Sequence, residues 1–138
     1  MNIAIIAENS KKELMVQFCI AYCGVLAQHD ITATRTTGKI VSDATGLKIN
    51  CLLPGIGGHE QIAARCAYNE IDLVLLFRDT ADRRSTKFDE LIMNCDKNNI
   101  PFATNVATAE VLIQGLARGD LAWREIVNPQ ADRGVKRK

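Results

Sequence analysis

The sequence predicts a doubly wound α/β domain on a mainly parallel, five-stranded sheet. Three observations lead there: five short, largely aliphatic runs, a helix-length stretch between successive runs, and no repeat or low-complexity segment dividing them. Strands separated by helices of this length pair in parallel through right-handed crossovers. A chain of 138 residues suits one domain with its own core. The domain is expected over residues 1–128, followed by a basic tail at 129–138.

Ile3-Ala4-Ile5-Ile6-Ala7 is a continuous apolar run, as in a strand buried on both faces. Lys11 to Gln28 follows as a helix with an apolar face of Leu14, Phe18, Ala21, Tyr22 and Val25. Asp30 to Ala33 gives the second strand. The turn Thr34-Arg35-Thr36-Thr37-Gly38 then leads into a short helix through Thr45, closed by Gly46. Lys48 to Leu53 is the third strand, and Pro54-Gly55-Ile56-Gly57-Gly58 a turn into a helix over His59 to Asn69. Asp72 to Phe77 is the most aliphatic strand. A polar loop, Arg78 to Lys87, precedes a helix from Phe88 to Lys97. Pro101 to Thr104 is the fifth strand, and Thr108 to Leu116 the last regular helix.

Composition narrows the function classes. Aromatic residues make up only 5%, so aliphatic packing must carry the core. The five cysteines are an odd number without a C-x-x-C pair, which favours thiols in a reducing, cytoplasmic setting over a disulfide framework or a metal site. Cys19 and Cys23, one helical turn apart, are expected to pack rather than bind a soft metal. No apolar run approaches a membrane span. The net charge of +1 divides into +3 on the tail and about −2 on the body, which argues against general nucleic-acid binding.

In a doubly wound sheet, ligands bind beyond the carboxyl ends of the strands. The loops to inspect are therefore Glu8–Lys12, Thr34–Gly38, Leu53–His59, Arg78–Lys87 and Thr104–Thr108. Thr36-Thr37-Gly38 offers two hydroxyls, a helix N-terminus and a permissive glycine, a combination suited to phosphate. An ordinary N-cap with a turn glycine explains the same residues when they stand alone.

Their order along the chain adds weight. Thr34-x-Thr36-Thr37-Gly38 is followed by Ala44-Thr45-Gly46, by Gly57-Gly58 with Gln61, by Phe77-Arg78-Asp79, and by Pro101-x-Ala103-Thr104-Asn105-Val106-Ala107-Thr108-Ala109. This series resembles methylglyoxal synthase, from Ile3 to Ile126. The resemblance implies that family's fold, a homohexamer, and elimination of phosphate from dihydroxyacetone phosphate without metal or cofactor. It also implies that Lys12, Thr34, Thr36 and Thr37 hold the substrate phosphate.

The family's acid–base positions are altered. An aspartate after Gly57-Gly58 is replaced by His59, followed by Glu60. A His-Asp pair after the first strand becomes Glu8-Asn9, and Ser-Gly-Pro before the glycines becomes Leu53-Pro54-Gly55. The family's Pro-His-x-Pro-Asp loop has no counterpart in Arg78–Lys87, where Arg78, Arg83, Arg84 and Lys87 face Asp79 and Asp82 in sequence. Arg35 replaces a glycine. Arginine forks suit phosphate oxygens.

The expectation is thus a divergent member lacking most catalytic residues, a non-catalytic binder of a phosphorylated small molecule that senses or sequesters a nucleotide signal. Its expected ligand contacts are Lys12, Thr34, Arg35, Thr36, Thr37, Gly38, Gly57, Gly58, His59, Arg78 and Asn105. Two alternatives stand beside it: a working methylglyoxal synthase using His59, Glu60, Asp79 or Glu8, and a structural oligomer with a vestigial site.

Overall fold

A computed structural model describes residues 1–81 and 86–127. The basic tail and the loop residues Asp82, Arg83 and Arg84 lie outside the described residues. The strands are β1 (Asn2–Ala7), β2 (Asp30–Thr34), β3 (Ile49–Leu52), β4 (Leu73–Phe77) and β5 (Phe102–Ala103). The helices are α1 (Lys12–Ala21), α2 (Cys23–Leu26), α3 (Arg35–Thr45), α4 (Gly55–Ala67), α5 (Asp89–Lys97), α6 (Val106–Arg118) and α7 (Trp123–Val127). Among the described residues no helix is long and apolar enough to cross a membrane.

The five strands pair in the order β3-β2-β1-β4-β5, and every pairing is parallel. Alternate residues of one strand point to opposite faces, and the core divides accordingly. Ile3, Ile5, Leu73 and Leu75 pack with Met15, Phe18, Val41 and Ile113 from α1, α3 and α6. Ala4, Ile6, Val74 and Leu76 pack with Ile62, Cys66, Leu91 and Cys95 from α4 and α5. Both faces are therefore covered by helices, and the runs in β1 and β4 are aliphatic on both sides for that reason.

The long helix expected over Lys11 to Gln28 is broken at Tyr22, whose backbone leaves the helical region at φ −110°, ψ 24°. Two causes act there. Gly24 follows and is a poor helix former, and the Tyr22 hydroxyl is held by Glu110 and Gln114 of α6. Cys19 is buried, which pushes its thiol up to about 12, with Cys23 adding to the rise.

Two expected turns are in fact helical. Thr36-Thr37-Gly38 lies in the first turn of α3, and Gly57-Gly58 in the first turn of α4. These glycines answer to packing rather than to turn geometry. A Cβ on Gly38 would stand 2.6 Å from Cys51 Sγ, and one on Gly58 would overlap the Leu53 carbonyl and lie 2.7 Å from Thr34 Cγ2. Helix α6 starts at Val106, earlier than expected, because the Asn105 side chain accepts the Thr108 N–H at 3.0 Å. Helix α7 was not foreseen.

Candidate active site

The chain reverses its direction of travel across the sheet at β1, with β2 and β3 on one side and β4 and β5 on the other. Loops leaving the carboxyl ends of such neighbours diverge, and a crevice opens between them. A cavity of about 510 Å³ lies there. Its walls come from Glu8, Asn9, Ser10 and Lys12 at the exit of β1, Thr34 and Thr36 at the exit of β2, His59 of α4, and Asp79 and Lys87.

The pairing of Ala7 with Phe77 brings the exits of β1 and β4 side by side. The Glu8 N–H accordingly donates to the Phe77 carbonyl at 3.1 Å. The Glu8 side chain, only 12% exposed, uses both oxygens. Oε1 accepts the Asp79 N–H at 2.7 Å, and Oε2 meets Lys87 Nζ at 2.5 Å. Burial by itself would raise the Glu8 pKa. The Lys87 ammonium and the Asp79 N–H outweigh it and hold the carboxyl below its ordinary value.

Lys12 reaches back to donate to the Ala7 carbonyl at 2.7 Å. Its burial lowers its pKa, with the nearby Glu8 charge opposing that fall. His59 stacks at a tilt on Phe88, with ring centroids 4.9 Å apart, and its buried Nδ1 has no hydrogen-bond partner among the described residues. Burial, then the charges of Lys87 and Lys12, lower its pKa against the pull of Glu8, so the imidazole is neutral at pH 7. Asp79 accepts the Ala81 N–H at 2.9 Å. That bond, with one from the Ser10 hydroxyl, lowers its pKa.

Thr34 precedes α3 without capping it: its side chain makes no bond to the helix N–H groups. Its hydroxyl lies 3.4 Å from that of Thr37 instead. The first N–H groups of α3 are left without a side-chain partner beside the two cavity-lining threonines, an arrangement that favours an anion.

The structure brings Glu8, Lys12, Thr34, Thr36, His59 and Asp79 together. The other expected residues stand elsewhere. Thr37 and Gly38 are buried on the face of α3 turned to the sheet, and Arg35 is exposed at its first position. Glu60 is exposed beside His59, and neither Gly57 nor Gly58 lines the cavity. Arg78 stacks over Phe88 at 5.6 Å, while its N–H bonds the Thr104 carbonyl. Asn105 is occupied as the cap of α6. The loop Thr104–Thr108 thus supports the neighbouring loop rather than the cavity. Sequence reasoning missed Ser10 and the pairing of Lys87 with Glu8; the basic character of the Arg78–Lys87 stretch was the one available signal.

No family model matches the chain. Individual proteins do. Methylglyoxal synthase of Caldicellulosiruptor saccharolyticus is 54% identical over 133 residues, covering 94% of either chain. That of Oceanobacillus iheyensis is 46% identical over 136 residues, 96% of this chain and 97% of its own. The crystal structure of methylglyoxal synthase from Elizabethkingia anophelis superposes with a TM-score of 0.75 at 30% identity, covering 81% of this chain and 76% of that one.

These relatives overturn the expectation of a non-catalytic binder and the leaning away from an enzyme. The expectation weighed a handful of motif substitutions, whereas the likeness to proteins named as synthases extends over nearly the whole chain. The cavity also holds acid–base groups, namely the carboxylates of Glu8 and Asp79 and the imidazole of His59. With relatives this similar along almost their full length, the chain belongs to the methylglyoxal synthase family.

Proposed function

We propose that the protein is a lyase that converts dihydroxyacetone phosphate to methylglyoxal and inorganic phosphate, through an acid–base set divergent from the family pattern. One observation carries the reading. A half-buried carboxylate, a neutral imidazole and two ammonium groups share one cavity with two threonines and the uncapped start of α3. The names of the close relatives point the same way.

On this reading Lys12, Thr34, Thr36 and the first N–H groups of α3 hold the phosphate. Glu8 takes a proton from the hydroxymethyl carbon, and the electron pair moves onto the carbonyl oxygen. His59, neutral at pH 7, supplies a proton to that oxygen, as a donor aimed at developing charge. The resulting enediol expels phosphate as its terminal hydroxyl becomes an aldehyde, and the hydroxyl proton leaves with the phosphate. The enol left behind ketonises to methylglyoxal as its hydroxyl proton returns to His59 and the Glu8 carboxyl gives its proton to the terminal carbon. Asp79 positions Glu8 through its backbone N–H. The cytoplasmic setting and homohexameric assembly implied by the family resemblance belong to the same proposal.

Purified protein incubated with dihydroxyacetone phosphate should release phosphate and methylglyoxal in equal amounts. Phosphate release no faster than in buffer would reject the lyase.

A further inference from the structure

Lys87 belongs to no motif of the resemblance, yet its ammonium stands against the carboxylate proposed as the base. We infer that Lys87 is a positioning residue for catalysis, which fixes the plane of the Glu8 carboxylate at the cavity wall. The inference rests on the lyase reading and adds a residue to it.

The geometry carries it. A glutamate has three rotatable side-chain bonds, and a base must reach its proton within hydrogen-bonding distance. Here two contacts from either end of one loop anchor separate oxygens, the Asp79 N–H on Oε1 at 2.7 Å and Lys87 Nζ on Oε2 at 2.5 Å. Two anchors on different atoms fix the plane of the carboxylate where one would leave it free to rotate. Lys87 is itself placed by the ring of Phe88, 5.5 Å from its nitrogen, and that same ring supports His59. The cation and the imidazole therefore share one buried aromatic support, since Phe88 is 1% exposed.

The charges around Glu8 come from every element that meets there. Lys12 of α1 and Lys87 favour its ionised form, and Asp79 opposes it. His59 of α4 is neutral and contributes no full charge at pH 7. Lys12 is committed to the Ala7 carbonyl at 2.7 Å. Among the described residues, Lys87 is thus the cation that forms an ion pair with the carboxylate, at a side-chain exposure of 34% against 12% for Glu8.

The test compares wild type with Lys87→Met and Lys87→Arg in pH profiles of kcat/KM for dihydroxyacetone phosphate. In Lys87→Met the acid limb should move to higher pH, with kcat about tenfold lower and KM within about twofold, a part of what a general base supplies. Lys87→Arg keeps a cation and should restore the limb. An unmoved limb in Lys87→Met, or a loss confined to KM, would overturn the inference. Titration of the 13C-labelled Glu8 carboxyl by NMR separates this from failure of the lyase reading. A Glu8 midpoint raised in Lys87→Met supports the pairing even without turnover, and identical midpoints reject it.

Discussion

The two edges of the sheet each hold a carboxylate against a cation, and the pairs differ in how completely they are buried. At the amino-terminal edge Arg124 of α7 meets Asp72, and both side chains are 0% exposed. The guanidinium also bonds the carbonyls of Ile71 and Asn98 and the side chain of Asn69, while Asp72 accepts the Asn2 N–H. At the carboxyl-terminal edge Glu8 and Lys87 stand at a cavity, partly open to solvent. A saturated buried pair locks structure, because neither partner can be removed without leaving the other's charge uncompensated. A pair at a cavity keeps the capacity to act on something that enters. On the proposed function, the same two kinds of group serve a lock at one edge and chemistry at the other.

Substituting one member at each edge tests this division. Glu8→Gln keeps the shape and removes the base, and should lower kcat by about 10²–10⁴, measured as phosphate release, with little change in the urea midpoint. Arg124→Met should do the reverse. It removes the buried guanidinium from beside Asp72, at a cost of about 3–5 kcal/mol in urea unfolding, with kcat per folded molecule kept. If Arg124→Met depressed kcat as strongly as Glu8→Gln, the two edges would not be separable.

How much of this was legible in the sequence follows the same line. The strands and their order class were readable, because β1 and β4 are buried on both sides and their residues must be aliphatic throughout. Glu8, Lys12, Thr34, Thr36, His59 and Asp79 lie in loops that follow strands or open helices, where a doubly wound sheet exposes its site, and the family resemblance singled them out within those loops. Two contacts were not legible. Nothing in the sequence pairs Arg124 with Asp72, and the fold brings them together as a buried pair. Lys87 is one of several basic residues in its stretch, and nothing local singles it out as the partner of Glu8. Motif substitutions near the site also suggested lost activity, since a motif scores identity at fixed positions. Catalysis requires only that a suitable group reach the same space.

Gly58 joins the two themes, since it looked like part of a phosphate turn and proves to be a packing glycine. Gly58→Ala should cost about 1–3 kcal/mol through overpacking, because backbone at Leu53 cannot give way cheaply. It should also displace His59, the next residue, and lower kcat. Gly24→Ala is the contrasting change: nothing lies within 4 Å of its added Cβ, and removing a helical glycine should stabilise by about 0.5–1 kcal/mol. Urea midpoints of the two variants should move in opposite directions.

The smallest effect concerns the pH dependence of stability at the site edge. Burial and the neighbouring lysines hold the folded-state pKa of His59 below its ordinary 6.5. The unfolded chain therefore binds this proton more readily, so the contribution is whole above about 6.5 and falls as the pH drops toward the folded value. Glu8 is also depressed, and its contribution is lost in a lower window, below its ordinary 4.5. His29, the other histidine, is depressed by burial and by the N-terminal ammonium and acts in the same window as His59. The difference between wild type and His59→Gln isolates the site histidine. Between about pH 7.5 and pH 5.5, wild type should lose more urea stability than His59→Gln. Equal losses would mean that His59 takes up its proton as readily in the folded chain as in the unfolded one. The neutral imidazole required at the carbonyl oxygen would then lose its support.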